Sequence, residues 1–347
     1  MRAGCKFGAV CFVLSAFTVA AVGQCKNGRG TWTAEMSDDN SGKLQFRMNC
    51  SQDVGSMGRP LGPTELEGLD PAAIRGKHVP VKFSLVREAG SLQFEGTFNE
   101  GVGYGEFTFT ANQNFLSNMK QMGYADAVDK AFTLTCIDVT RAYVQELRSL
   151  GLHPDLDKVI EARIFNVNRE QERGLKAVGV NALELDNLVQ YRIFNITPEY
   201  VQQMRASFPG ITLDKMTQMR IQHVTPEFAT EMSRLGYSGL NVDQLIAFRI
   251  HNITADYIQE MDKLGFHKLG ADQLVQFRIF NVNASQVEDL AKEGYKDLSA
   301  QDLVNFRIHH IDSEFIETVK KAGYSHPTPD DLVQLRIMGL SHRRAGL

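Results

Sequence analysis

The sequence has no excess of positive charge. Its 37 Lys and Arg stand against 41 Asp and Glu, a formal net charge of -4. Nothing in that balance drives binding to a phosphate backbone, so nucleic acid is excluded as the expected partner. Cysteine is scarce, five in 347 residues, and two of the five (Cys5 and Cys11) lie in the first 23. Beyond residue 23 no apolar run is long enough to span a bilayer. Motifs that carry chemistry are also absent. None of the nine histidines has a second one helical turn away with a glutamate between, as a zinc peptidase needs. There is no Gly-x-Ser-x-Gly elbow and no Gly-rich loop ending in Lys to cradle phosphate. The expectation is a non-enzymatic chain with no cofactor and no metal.

The first segment present is an export leader. Arg2 and Lys6 precede an apolar run, Phe7 to Val22, and Ala21-Val22-Gly23 offers small residues for cleavage before Gln24. An uncleaved anchor is disfavoured because the run is short. Lipid attachment at Cys25 is disfavoured because Gln24 stands where a small residue is wanted. The expected location is periplasmic or extracellular. In an oxidising compartment Cys25 and Cys50 are the candidate disulfide, and Cys136 reads as a buried thiol.

Residues 24–115 alternate with period two. Trp32, Ala34 and Met36 form one run; Leu44, Phe46, Met48 and Cys50 another; Val81, Phe83 and Leu85 a third. Leu92, Phe94, Gly96 and Phe98, then Phe107, Phe109 and Ala111, complete an expected antiparallel sheet of about five strands. Gly96, Gly103 and Gly105 interrupt strand sequence, marking a bulge, a close backbone approach or a ligand groove, the structural readings being favoured. Residues 51–78, rich in Gly and Pro, read as a long exposed loop, with a short helix starting near Thr64.

Residues 116–347 repeat. Arg163, Arg192, Arg220, Arg249, Arg278, Arg307 and Arg336 recur at spacings of 29, 28, 29, 29, 29 and 29 residues. Such a period predicts an α-solenoid of about seven short helix pairs. Relative to the arginine, an acid stands at −6 (Asp157, Asp186, Asp214, Asp243, Asp272, Asp330; Gln301 is the exception). A helix stop stands at +3 (Asn166, Asn195, His223, Asn252, Asn281, His310, Gly339) and an N-cap at +5 (Asn168, Thr197, Thr225, Thr254, Asn283, Asp312, Ser341). Glycines at +16 end the other helix. Leu134 to Gly151 is a weaker first copy with Thr135 in place of the arginine. Leu188, Val189, Tyr191 and Ile193, with Leu274, Val275, Phe277 and Ile279, read as buried stripes. So do Tyr200, Val201 and Met204, and Tyr257, Ile258 and Met261. Asn195-Ile196-Thr197 and Asn252-Ile253-Thr254 match glycosylation acceptors but read as stop-plus-cap pairs.

The seven arginines are the principal candidate site. Structurally, each would bond helix-end carbonyls or a carboxylate of the next repeat, with Glu199, Glu227, Asp256 and Glu314 as candidate partners. Functionally, they would form an exposed row reading acidic ligands such as peptidoglycan carboxylates. The structural reading is favoured, since each arginine sits between apolar residues.

Residues 90 to 109, Gly-Ser-Leu-Gln-Phe-Glu-Gly-Thr-Phe-Asn-Glu-Gly-Val-Gly-Tyr-Gly-Glu-Phe-Thr-Phe, resemble a β segment of uncharacterised exported bacterial proteins. Residues 272 to 282, Asp-Gln-Leu-Val-Gln-Phe-Arg-Ile-Phe-Asn-Val, look like the helical repeats that follow it there. Similar repeats stand behind membrane metallopeptidase domains of the antirepressor, β-lactam-sensing type. The resemblance implies an envelope protein tied to sensing or regulated proteolysis. The peptidase's zinc motif and membrane helices are missing here, so that activity is not implied.

The expected organisation is α+β: leader 1–23, β domain 24–115, helical repeat domain 116–347. The expected function is protein–protein interaction or scaffolding in the bacterial envelope, with a ligand-binding sensor module as the alternative.

Overall fold

In the two-residue alternation, each strand turns large apolar side chains to one face and polar ones to the other. A computed structural model describes residues 25, 28–37, 42–50, 56–181 and 183–339; the leader and Ser341 lie outside them. Six strands form one antiparallel sheet: β1 (Arg29–Met36), β2 (Leu44–Cys50), β3 (Ser56–Leu61), β4 (Val79–Val86), β5 (Gly90–Asn99) and β6 (Val102–Ala111). The order is β3-β2-β1-β6-β5-β4, two three-stranded meanders joined through β1 and β6.

The sheet is strongly curled. Phe46 on β2 and Phe83 on β4 are four strand spacings apart, roughly 19 Å in a flat sheet. Their ring centroids are 6.1 Å apart. Trp32 on β1 fills the concave face, touching Phe46, Phe83, Phe94 and Phe98, and its indole N–H donates to the Glu95 carbonyl at 3.2 Å. Gly96 and Gly103 make room for that ring: a Cβ would come within 2.8 Å and 2.7 Å of it. The strand glycines therefore bed a side chain of the protein's own core.

Within residues 56–78 the structure differs from the expected loop, although a single helical turn at Pro63–Glu65 stands where a short helix was expected. This segment holds the sixth strand, β3, and the short helix α1 (Pro71–Arg75). Pro60 is tolerated because β3 is an outer strand, where one N–H faces no partner. Leu61, Leu66, Leu69 and Ile74 are buried under the sheet.

Helices follow: α2 (Gln113–Gln121), α3 (Ala131–Cys136), α4 (Arg141–Ser149), α5 (Leu156–Ile164), α6 (Arg169–Ala177), α7 (Leu185–Ile193), α8 (Pro198–Ser207), α9 (Leu213–Ile221) and α10 (Pro226–Arg234). The series continues with α11 (Val242–Ile250), α12 (Ala255–Lys263), α13 (Ala271–Ile279), α14 (Ala284–Lys292), α15 (Ala300–Ile308), α16 (Ser313–Lys321) and α17 (Pro329–Ile337). The odd members from α5 onward carry the arginines. Their ends are set locally. Asn252 has φ 51°. Its N–H donates to the Arg249 carbonyl, and that of Ile253 reaches back to Phe248 at 2.7 Å. This Schellman closure, with a buried apolar residue after the turn, recurs at Asn166, His223, Asn281 and His310. The N-cap side chains of Asn168, Thr197, Thr225, Thr254, Asn283 and Asp312 accept from the third backbone N–H of the next helix. The weak first copy obeys the same rules, with Asp138 at φ 59° and Thr140 as cap.

Helices of nine residues are not stable alone; each buries its stripe on its neighbours. Leu188, Val201, Met204, Phe248, Met261, Phe277 and Phe306 are all under 2% exposed, so the methionine positions are core. The chain forms two compact units, one running to Ile193 and one from Phe194. The first unites the sheet with the earliest repeats. Phe132 of α3 stacks on Phe107 at 5.8 Å, Arg59 donates to the Cys136 carbonyl at 2.6 Å, and Arg87 meets Asp138 at 3.6 Å. In the second, consecutive arginine helices stack directly on one another, α9 on α11 and so on to α17.

Candidate functional site

On an arginine helix, residues −4, −3 and −1 face the core. A step of about 100° per residue leaves the arginine on the rim of that stripe. Its stem is therefore half-buried, and its head reaches back to the preceding repeat. Arg163 donates to the carbonyls of Ile137 and Asp138 at 3.2 and 3.0 Å and to the Asp138 carboxylate at 3.0 Å. Arg220 donates to the carbonyls of Phe194 and Asn195, Arg278 to that of Asn252, and Arg336 to that of His309. These carbonyls belong to the helix-stop turns, where the helix leaves acceptors free.

A second contact depends on the third residue after each N-cap. Where it is aromatic the guanidinium lies over the ring: Arg163 on Tyr143, Arg220 on Tyr200, Arg249 on Phe228, Arg278 on Tyr257 and Arg336 on Phe315, at 3.7 to 5.2 Å from the centroid. Where it is glutamine a hydrogen bond replaces the stack. Arg192 Nε donates to Gln171 Oε1 at 3.0 Å and Arg307 Nε to Gln286 Oε1 at 2.8 Å. Both glutamines donate onward to a helix carbonyl, Leu188 or Leu303.

For Glu199, Glu227 and Asp256 the expected pairing with an arginine is thus corrected: the arginines look backward, four of them to backbone carbonyls, Arg192 and Arg307 to glutamines and Arg249 to a ring. Glu199 and Glu227 stand in the first turns of α8 and α10. Asp256 and Glu314 stand in the first turns of α12 and α16.

The sequence reading also put Ile193 and Ile279 in the core, and this too is corrected. Every arginine is followed by isoleucine, and the position faces outward. Ile164, Ile250, Ile279, Ile308 and Ile337 are 41 to 58% exposed, and Ile193 and Ile221 are half-buried. The acid at −6 lies seven residues, about two turns, before the isoleucine, so the two share one face. Between them at −2 stand Gln190, Gln218, Gln276 and Gln334, with Glu161, Ala247 and Asn305 in the other repeats. Four of the arginine helices, α7, α9, α13 and α17, therefore carry a stripe of acid, amide and isoleucine, and α5, α11 and α15 keep the isoleucine with one member of the stripe changed.

The stripe changes along the chain. Lys130, Lys158 and Lys215 reach across to the row acids Asp157, Asp186 and Asp243 of the following repeat. In later repeats the lysine's position is held by Gln244, Gln273, Asp302 and Asp331.

Shallow grooves between repeats recur at equivalent residues, about 100 Å³ beside Arg220 and His223 and about 360 Å³ beside Arg307 and His310. The two histidines sit in the left-handed stop position (φ 53° and 51°). Among the described residues no group of three or more His, Cys, Asp or Glu is placed to hold a metal ion. A further groove of about 410 Å³ lies by Cys25, Phe109 and Phe132. Cys25 and Cys50 are disulfide-bonded, their Cα atoms 5.3 Å apart. Cys136 is fully buried, and burial pushes its thiol up to about 12 against the opposing charge of Arg59, which leaves it unreactive. Among the described residues no helix is long and apolar enough to cross a membrane. Comparison with family models, curated proteins and solved structures returns no match.

Proposed function

We propose that this chain is an exported, non-catalytic interaction scaffold of the bacterial envelope that binds a protein partner along the exposed stripe of its arginine helices. One observation carries the reading. Isoleucine stands at the same outward position in the five consecutive repeats of the second unit, at Ile221, Ile250, Ile279, Ile308 and Ile337. A single exposed apolar residue needs no explanation, but a row in register at every repeat is the pattern of a docking face. The arginine row favours the same reading, because six of its seven guanidiniums hydrogen-bond to carbonyls, a carboxylate or glutamines within the stack and the seventh, Arg249, lies over a ring. We extend the proposal to a role in envelope sensing or regulated proteolysis, on the resemblance of residues 272 to 282 alone.

The test compares the chain from Gln24 with its Ile250→Ser/Ile279→Ser/Ile308→Ser variant in crosslinked recovery from the envelope fraction. These side chains are 44 to 53% exposed, so the melting temperature should hold within a few degrees. The partner recovered with the parent chain should be lost from the variant. Equal recovery by both proteins would remove the stripe as the binding surface.

A further inference from the structure

Two features coincide on the last three arginine helices. Ile279, Ile308 and Ile337 are 53, 44 and 58% exposed, whereas Ile193 and Ile221 are half-buried. Over the same helices the bridging lysines are gone, and the acids at −6 and −5 are Asp272, Asp302, Asp330 and Asp331. Asp302 and Asp331 turn back to cap their own helices at Ser299 and Thr328, which fixes them in place and leaves their charge. Among the described residues neither Lys268 nor Lys296, in the joints before α13 and α15, makes an ion pair with these carboxylates. Among the described residues the stripe on α13, α15 and α17 thus carries four negative charges and no positive one beside an apolar row. The arginines of these helices point away, into the preceding repeat.

Spacing narrows the occupant further. Packed helices lie about 8–10 Å apart, so the isoleucines recur at roughly that distance. A strand repeats its same-face side chains at about 6.7 or 13 Å, which matches poorly. A helix laid across the stack repeats a face every seven residues, about 10.5 Å, and a modest tilt brings that into register.

We infer that the last three repeats hold a cationic amphipathic helix of a partner protein, its apolar residues seven apart on Ile279, Ile308 and Ile337 and its Lys or Arg flank against Asp272, Asp302, Asp330 and Asp331. This rests on the docking reading above and names its partner class. Charge complementarity then sets orientation and encounter rate, and the apolar row sets the lifetime of the complex.

The experiment uses the full chain from Gln24 and two labelled synthetic helical peptides, with leucine at every seventh position and either lysine or glutamate flanking it, read by fluorescence anisotropy. The lysine peptide should bind and weaken as salt rises, and the glutamate peptide should not bind. Asp272→Asn and Asp330→Asn should each weaken the lysine peptide about two- to fivefold. Ile279→Ser/Ile308→Ser should abolish its binding while circular dichroism stays that of the parent. Binding of both peptides alike, or of the lysine peptide equally to the Asn variants, overturns the cationic partner and leaves the docking face standing. Binding that survives the Ser variants overturns the docking face itself. No binding of the lysine peptide up to about 1 mM, on the order of 4 kcal/mol of affinity, overturns the inference.

Discussion

Replacing Arg220 by Ala removes three contacts at once. The guanidinium donates to the carbonyls of Phe194 and Asn195, both at 3.2 Å, and lies 4.6 Å over the Tyr200 ring. Long, partly solvated hydrogen bonds of this kind contribute about 1 kcal/mol each. The ring contact adds about 0.5–1 kcal/mol. The expected loss is about 2–3 kcal/mol, with two helix-stop carbonyls left short of a donor. Arg249 provides the internal comparison. It is exposed and makes the ring contact, 3.8 Å over Phe228, with no hydrogen bond from its guanidinium among the described residues. Arg249→Ala should therefore cost only about 0.5–1 kcal/mol. At about 2–4 °C per kcal/mol for a domain of this size, Arg220→Ala should melt about 5–10 °C below the parent and Arg249→Ala within about 4 °C of it. Arg220→Lys should restore less than half the loss, since an ammonium has neither the planar fork nor the stacking face. The assay is urea and thermal denaturation followed by far-ultraviolet circular dichroism. Equal losses in the two Ala variants, or an unchanged Arg220→Ala, would refute the account of the ladder as a brace between repeats.

Three other outcomes are expected. Tyr200 Oη donates to the Met216 carbonyl at 2.9 Å, whereas Tyr257 Oη is buried with no hydrogen-bond partner among the described residues, its phenol pushed up to about 12 by burial against the pull of Arg278; Tyr200→Phe should cost about 1 kcal/mol and Tyr257→Phe should be neutral or stabilising in the same melts. Gly96→Ala drives a Cβ to 2.8 Å from the indole of Trp32, the only tryptophan, so its fluorescence should redden and the sheet should lose at least about 2 kcal/mol. Glu65 is partly buried, which alone would raise its pKa, but the Gly62 N–H and the Arg87 guanidinium outweigh burial and hold it below its ordinary 4.5. A carboxylate with a depressed folded pKa stabilises above its unfolded value and loses that contribution as pH falls through the folded value. The stability gap between the parent and Glu65→Gln should thus be full at pH 7 and shrink below about pH 4 in pH-series melts.

The sequence was most legible where local chemistry decides the structure. Stops at Asn252 and Gly265 and caps at Thr225 and Asn283 act within a few residues, so they could be placed before any tertiary contact was known. β3 was hidden because its own residues, with Gly58 and Pro60, read as turn; an outer strand tolerates them, and only pairing with β2 makes it a strand. The partners of the arginines were hidden for another reason. Helix-stop carbonyls about 25 residues upstream and carboxylates seven residues downstream are equally good acceptors on paper, and repeat stacking chooses between them. The outward isoleucines could have been found: a helical wheel sets position +1 about 120° from the centre of the buried stripe. Calling the whole run apolar concealed it. The lysines at −5 carried a legible signal too, since three of them precede an aspartate by 27 or 28 residues.

The most direct test of the docking claim is site-specific photocrosslinking in the native envelope, with the photoreactive residue placed in turn at Ile279 and Ile308 and, on the intervening helices, at Glu288 and Glu317. The account predicts one and the same protein adduct from positions 279 and 308 and none from 288 and 317. Adducts confined to 288 and 317 would contradict it.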